Sequence, residues 1–141
     1  NTLLEFDGKL HNCCELLPTG DLQCKLFPDQ AERDAGILPG TEQKIFELSD
    51  KRFRAVICSD LRHIDEIPTN GLDFVLFIFH FTDNNFTRVM QYVKSVSKAR
   101  DLRVLVSSLL SDKNIGFSSF VDDDVAVSLS RQEGILEVEI D

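Results

Sequence analysis

The stretch that decides the fold covers residues 53–62 and reads FRAVICSDLR. Residues 53–57 are rich in aromatic and β-branched side chains, a composition that predicts a β-strand. The polar residues that follow Cys58 predict a turn, so the strand delivers this cysteine to its C-terminal end. At a sheet edge, backbone N–H groups can stabilise a thiolate or an oxyanion, which makes Cys58 a candidate nucleophile. The alternative is structural, because free cysteine is among the most buried residue types.

On the C-terminal side, the sequence predicts strands arranged around one helix. Apolar residues recur at helical spacing from Phe86 to Val96, and either Asp83 or Asn84 can cap a helix that ends near Arg100. The predicted strands, which include a hairpin and a closing strand, cover residues 72–79, 102–110, 117–121, 125–129 and 135–140.

On the N-terminal side, the sequence predicts strands and one long loop. The predicted strands, of which the first two are joined by the turn Asp7-Gly8, cover residues 2–6, 10–16 and 43–48. Repeated prolines and glycines in residues 18–40 predict a loop. Strands that alternate with a helix, with hairpins at both ends, predict an α/β (α+β layered) fold with a mixed sheet. Residues 1–141 are expected to form a single domain.

Composition and charge argue against two classes of partner. The chain has 24 acidic and 15 basic residues and a formal net charge of −9. An acidic chain with scattered basic residues is a poor match for a phosphate backbone, so we expect no nucleic acid partner. No apolar run approaches membrane-spanning length, so we expect no membrane partner either. The first residue is not methionine, which predicts a processed or truncated piece.

The cysteines predict a reduced protein without a bound metal. Cys13, Cys14, Cys24 and Cys58 match no compact disulfide framework in their spacing. A reduced, cytoplasmic setting is therefore expected. The spacing of His11 relative to the first three cysteines is not that of a recognised zinc motif, so we predict no metal and no other cofactor.

Residues 56–62, VICSDLR, resemble the nucleophile segment of the nitrilase-like carbon–nitrogen hydrolases, where a strand ends in Cys, any residue, Asp and often Leu-Arg. The other stretches that resemble this family, in the same order and spacing, are residues 32–48, 71–76, 98–108, 116–122 and 134–141. The resemblance spans nearly all of the chain. It implies part of an α-β-β-α nitrilase-like sandwich that lacks the family's N-terminal part, and a homo-oligomer.

The resemblance also implies a mechanism. In that family a cysteine attacks an amide or nitrile carbon, a glutamate acts as general base, a lysine stabilises the oxyanion and a second glutamate supports the site. By resemblance Cys58 is the nucleophile and the backbone N–H of Ser59 contributes to the oxyanion hole. Glu32 matches the supporting glutamate.

The substrate pocket is expected in the loop that follows the next predicted strand. Residues after that strand shape the pocket in the family, so His80, Phe81 and Thr82 are candidate contacts for a small-molecule amide or nitrile. For His80 the alternative is a role at the end of the strand, since histidine is often only partly buried.

Two parts of the family's machinery are not found in the sequence. The general-base glutamate belongs to the N-terminal part of the family fold. In the string CELLP, which corresponds to the lysine motif, Cys14 takes the place of the lysine. Lys25, in the string CKLFP, would match only with a shifted alignment. Two functions therefore stay open: a carbon–nitrogen hydrolase, or an inactive family member that acts as a binding or scaffold protein. A receiver-like doubly wound domain that uses Asp60 is a more distant alternative.

Overall fold

The computed structural model describes residues 2–82, 84–108, 116–123 and 125–130, together with residues 137 and 139. The helices in this part of the chain are α1 (Gln30–Asp34) and α2 (Phe86–Arg100), and a 3-10 segment covers Cys58–Glu66. The strands are β1 (Thr2–Phe6), β2 (Lys9–Leu16), β3 (Asp21–Cys24), β4 (Phe46–Leu48), β5 (Lys51–Ile57), β6 (Phe74–Ile78), β7 (Val104–Ser108), β8 (Phe117–Asp122) and β9 (Val125–Ser130). No helix in these ranges is long and apolar enough to cross a membrane.

The strands form two sheets. β1, β2 and β3 make an antiparallel three-stranded sheet, and the others make a six-stranded sheet in the order β4-β5-β6-β7-β8-β9. In the larger sheet β5, β6 and β7 are parallel, with antiparallel neighbours on both sides. Because parallel strands end at the same edge of a sheet, Cys58 after β5 lies near Phe79 and His80 after β6. The mixed sheet also overturns the receiver-like alternative, which requires regular βα alternation.

The six-stranded sheet is covered by apolar side chains on both faces. On one face, Val56 and Phe77 belong to a core that also contains residues of the 3-10 segment and of α2. On the other face, Phe53 and Phe74 form a second core, against which Cys14 and Leu16 of β2 pack. The described residues therefore form three layers: helices, the six-stranded sheet and the three-stranded sheet. This arrangement confirms the predicted α/β fold with a mixed sheet.

α2 forms where the helical spacing predicts it. Met90, Val93 and Val96 are buried against the sheet, as an amphipathic helix requires. The helix ends at Asp101, whose φ of +49° closes the last turn. Its start differs from the prediction, because Asn85 occupies the N-cap position. Residue 83 lies outside the described residues.

The loop predicted for residues 18–40 is wrong in two places, because it contains both β3 and α1. The sequence pattern does not predict β3, because this strand has only four residues and lies among turn residues. α1 begins with a capping box. The Asp29 side chain accepts from the N–H of Glu32, and the Glu32 side chain accepts from the N–H of Asp29. The strand predicted for residues 43–48 begins only at Phe46.

Most other strand predictions are confirmed. The hairpin of β8 and β9 is antiparallel and has the predicted position. The strand predicted for residues 102–110 is described only as far as Ser108. The closing strand predicted for residues 135–140 lies almost entirely outside the described residues.

Cys13 and Cys24 form a disulfide bond between β2 and β3. The two residues are direct partners in the antiparallel register, which brings their side chains together. The expectation that all four cysteines are reduced is therefore wrong for this pair, and neither sulfur is available to a metal. Cys14 and Cys58 are free. The sequence did not show the pairing, because it depends on the register of two strands, one of which was not predicted.

Candidate active site

Cys58 lies at the junction between β5 and the 3-10 segment, as the sequence predicts. Its φ of +50° is in the left-handed region, which residues with a side chain rarely adopt. A strained backbone of this kind persists only where the surrounding structure holds it, and it is common at functional sites. The side chain is partly buried.

Asp60 holds the turn that carries Cys58. Its buried carboxylate, 1% exposed, accepts backbone N–H groups from Leu26 at 3.1 Å and Phe27 at 2.7 Å. The Ser59 hydroxyl donates to the carbonyl of Phe27 at 2.6 Å. Two adjacent side chains of the turn therefore bind one distant segment. This explains the Cys-x-Asp pattern physically: the aspartate joins the turn that carries Cys58 to the residues that follow β3.

That distant segment begins with Lys25, which is 1% exposed. Its Nζ lies 2.6 Å from Oε2 of Glu32, and a buried ammonium group requires such a partner. Lys25 lines the same cavity as Cys58. Cys14, by contrast, borders a different cavity together with Leu17 and other residues. Of the two residues considered for the lysine position, Lys25 therefore shares a cavity with Cys58 and Cys14 does not.

Glu32 is oriented by three donors. Its carboxylate accepts from Nζ of Lys25 at 2.6 Å, from Nδ2 of Asn12 at 2.9 Å and from the N–H of Asp29 at 2.8 Å. Burial by itself would raise the pKa of Glu32, but these hydrogen bonds and the Lys25 charge outweigh burial and lower the pKa. Glu32 is therefore ionised at neutral pH, and both of its oxygens are occupied.

The environment of Cys58 contains opposing influences. Burial raises the pKa of its thiol, and the charges of Glu32 and Asp29 raise it further. The charge of Lys25 and the backbone N–H of Ser59, which donates to the sulfur, lower the pKa. Burial prevails and the pKa is raised. Within the described residues, Cys58 is therefore a thiol at neutral pH and needs a base to become a nucleophile.

Two cavities meet at Cys58. The first, of about 330 Å³, is here called the lysine cavity, and its lining includes Lys25, Glu32 and His80. The second, of about 510 Å³, is here called the arginine cavity, and its lining includes Arg62 and Arg88. Cys58 and Phe79 line both cavities. A molecule bound at the sulfur can therefore extend in two directions.

Several solved structures share this arrangement of strands and helices at low sequence identity. XC1258 from Xanthomonas campestris, a CN-hydrolase superfamily protein with an arsenic adduct in its active site, has a TM-score of 0.71 and 15% identity over 91% of this chain and 59% of its own. Glutamine-dependent NAD+ synthetase from Acinetobacter baumannii has a TM-score of 0.73 and 14% identity over 98% of this chain and 33% of its own.

A nitrilase-superfamily amidase from Nesterenkonia is also similar, with a TM-score of 0.68 and 11% identity over 81% of this chain and 47% of its own. This chain has the nitrilase-superfamily fold. The resemblance seen in VICSDLR is thus confirmed at the level of the fold. No protein-family model and no curated protein matches the chain. It spans between a third and three fifths of the length of these three structures.

Within the nitrilase-like fold, the three predicted pocket residues occupy different environments. His80 is exposed and lines the lysine cavity. Phe81 is 0% exposed and packs edge-on against other rings of the core, so it lines neither cavity. The N–H of Thr82 binds Oδ1 of Asn85 at 2.9 Å, and its carbonyl accepts from the start of α2. Of the three, only His80 borders the candidate site.

Lys25 and Asn12 are the residues of the candidate site that sequence reasoning missed or undervalued. Two local signals were available for the segment after β3. Pro28 follows Lys25 at a spacing close to that of the family's lysine motif, and Asp29-x-x-Glu32 is a capping-box pattern. Asn12 has no such signal, since only the pairing of β2 with its neighbours brings it to Glu32. No cluster of three or more metal-binding side chains is found among the described residues.

Proposed function

We propose that this chain carries the cysteine centre of a carbon–nitrogen hydrolase, which cleaves an amide or nitrile C–N bond. The observation that carries the proposal is the buried Lys25, paired with Glu32, in the same cavity as Cys58. A lysine in water needs no carboxylate partner, so a buried lysine with a partner beside a cysteine indicates a charge kept there for a purpose. The Nesterenkonia amidase, which has a similar fold, has an active-site cysteine that adds acrylamide in one variant.

The residues divide the reaction between them. For an amide, the sulfur of Cys58 attacks the carbonyl carbon, and the negative charge that develops on oxygen is stabilised by Lys25 and by the N–H of Ser59. The thiol proton passes to a base and then to the departing amine, which leaves a thioester. Water then attacks the thioester, releases a carboxylic acid and restores the thiol.

Glu32 is proposed as a positioning residue and not as that base. Its oxygens already accept three hydrogen bonds and its pKa is lowered, so it is a weak proton acceptor. The resemblance assigns the base to a glutamate of the family's N-terminal part, which these residues do not include. We propose that this carboxylate is supplied by another segment or by another subunit of a homo-oligomer.

The raised pKa of Cys58 favours a second candidate, a protein of the same fold that binds small molecules without hydrolysing them. The two candidates differ in covalent chemistry. A hydrolase forms a thioester with an activated amide or ester substrate, and the mass of the protein increases by that of the acyl group. A binding protein shows no such adduct.

The test is intact-protein mass spectrometry after mixing with an acyl p-nitrophenyl ester and an acyl p-nitroanilide. A hydrolase gives an acyl adduct that maps to Cys58, disappears in Cys58→Ser and persists in Cys14→Ser, the matched free-cysteine control. If both variants behave like the original protein, or no adduct forms while the folded protein still binds amides, the hydrolase proposal fails.

Thiol labelling tests the state of the nucleophile directly. Because the pKa of Cys58 is raised above its ordinary value of 9.0, its labelling by chloroacetamide should reach half-maximal rate only above that pH. Lys25→Met should move the midpoint higher still, because the Lys25 charge lowers this pKa. A midpoint well below 9.0 would show that a group outside the described residues activates the thiol.

Two further expectations remain predictions. Homo-oligomerisation rests on the resemblance and is tested by light scattering. The cytoplasmic location was inferred from reduced cysteines, and the Cys13–Cys24 disulfide removes that support because disulfides persist mainly in oxidising compartments. Alkylation of cells before lysis, followed by mapping of Cys13 and Cys24, decides between the two settings.

A further inference from the structure

The arginine cavity is a cationic space on an acidic protein. Arg62 comes from the 3-10 segment and Arg88 from the first turn of α2, and both side chains are exposed. Neither makes a hydrogen bond or ion pair with another described residue. The described lining of this cavity contains no carboxylate. In a chain of net charge −9, two arginines that line one cavity, with no carboxylate in its described lining, favour an anion there.

Other features of the arginine cavity also suit an anion. Asn85 and Tyr92 belong to the same lining. Asn85, which also lines the cavity, is the N-cap residue of α2, and no side-chain hydrogen bond caps that helix. The positive end of the helix dipole therefore adds to the field of Arg62 and Arg88.

Part of the lining of the arginine cavity is apolar. Leu61, Phe79 and Val89 line the cavity together with Cys58. An apolar chain of a few carbon atoms can lie against these residues while its charged end reaches the arginines. Lys25 lines the other cavity at Cys58, where in the proposed reaction it stabilises the oxygen of the reacting carbonyl group.

We propose that the arginine cavity binds an anionic group of the substrate, carboxylate or phosphate, carried a few carbon atoms from the carbon that Cys58 attacks. This inference rests on the proposed function, which it deepens by naming the substrate class: amides with an anionic tail. Arg62 and Arg88 are specificity-determining residues that bind the tail, while Cys58, Ser59 and Lys25 act on the carbonyl.

Alkylation of Cys58 tests this site without requiring hydrolysis. The thiolate displaces bromide from a bromoacetyl group, forming a C–S bond. N-bromoacetyl-β-alanine presents a carboxylate, N-bromoacetyl-phosphoethanolamine presents a phosphate, and N-bromoacetyl-β-alaninamide is the neutral reference. The ratio of anionic to neutral rates at Cys58 cancels changes in the thiolate fraction. The ratio of anionic to neutral rates at Cys14, which lines a cavity away from the arginines, serves as the internal control.

We expect an anionic reagent to label Cys58 about tenfold faster than the neutral one, as charge-assisted pairing with arginine predicts. The preference should saturate with reagent concentration and decline with added salt. Arg88→Met and Arg62→Met should each reduce it, and Arg88→Lys should retain part of it. Lys98→Met, an exposed charge removal elsewhere on α2, is the matched control and should leave the ratio unchanged.

The outcomes are distinct. Equal anionic and neutral rates at Cys58, or the same preference in both methionine variants with an unchanged melting temperature, overturn the inference. Whichever anionic reagent reacts faster identifies the tail as carboxylate or phosphate. An anionic preference without a thioester on any acyl substrate keeps the anion site and rejects the hydrolase.

Discussion

At the scale of single residues, the Lys25–Glu32 pair is the feature on which the site depends. Lys25 is almost completely buried, and its charge is balanced at 2.6 Å by a carboxylate that Asn12 and Asp29 also hold. Such a pair is strongly coupled to its surroundings, because removal of one member leaves the other charge without compensation. We therefore expect changes to these two side chains to lower the stability of the protein as well as to alter the candidate site.

Lys25→Met should lower the free energy of unfolding by about 3 kcal/mol, as expected when one partner of a buried ion pair is removed. Lys51→Met is the matched control, because Lys51 is more exposed and lies 3.9 Å from Asp73. Its cost should be below about 1 kcal/mol. Urea denaturation of both variants measures the difference, and equal costs would contradict a special role for the Lys25 charge.

Acid should remove the contribution of Glu32. Its pKa in the folded protein is lowered from 4.5, so the folded state is stabilised by the ionised carboxylate at neutral pH. That stabilisation is lost as pH falls below 4.5 and through the folded pKa. The stability difference between the original protein and Glu32→Gln should therefore be largest at neutral pH and shrink in acid. A difference that grows in acid would show that the pKa is raised instead.

At the scale of secondary-structure elements, the turn after β5 and the segment after β3 form one unit. Asp60 and Ser59 hold the backbone of Leu26 and Phe27, which places Lys25 beside Cys58. The candidate site needs both segments, because one contains Cys58 and the other contains Lys25. The left-handed backbone of Cys58 is held in this unit, which explains how a strained residue can persist there.

Asp60→Asn tests this unit with little change of shape. The amide NH₂ group cannot accept the N–H of Leu26 that Oδ2 now faces at 3.1 Å and sets a donor against a donor, so about 1–3 kcal/mol of stability should be lost. The labelling rate of Cys58 should change as well, because Lys25 shifts relative to the sulfur. Asp101→Asn is the control, since asparagine tolerates the left-handed conformation at this exposed position. Loss of equal size in both variants would contradict the anchoring role.

At the scale of the whole molecule, the site is assembled from both sheets. The three-stranded sheet supplies Asn12 from β2 and leads directly into Lys25 after β3, while the six-stranded sheet supplies Cys58 and Phe79. The Cys13–Cys24 disulfide ties β2 to β3 next to both residues. The relative position of these strands therefore determines whether the lysine reaches the cysteine.

Removal of the disulfide in the double variant Cys13→Ala, Cys24→Ala should cost about 2–3 kcal/mol, the range expected for a short loop. Denaturation under non-reducing conditions measures the loss, and addition of a reductant to the original protein should reproduce most of it. Cys14→Ala, which removes a neighbouring free thiol, serves as the control. No change on reduction would show that the bond does not stabilise the fold.

Local patterns in the sequence were enough to predict the strand that ends at Cys58, the amphipathic α2, the β8–β9 hairpin and the layered fold. These features depend on residues that are close in the chain, where the period of apolar side chains reports directly on structure. The turn after Cys58 was also evident, because polar residues interrupt the strand.

Only the tertiary structure decided what surrounds the cysteine. The partners of Asp60 lie more than thirty residues earlier in the chain, at Leu26 and Phe27. The pairing of Cys13 with Cys24 follows from the register of β2 and β3, the cavity shared by Lys25 and Cys58 depends on how the two sheets pack, and Phe81 is buried by the rings around it. Register is set by contacts across the sheets, so a one-residue shift turns every side chain to the opposite face. Local signals mark the segment after β3, but only the packing of the strands and the contacts of Asp60 bring Lys25 to the cavity of Cys58, so the sequence placed the candidate nucleophile without its neighbours.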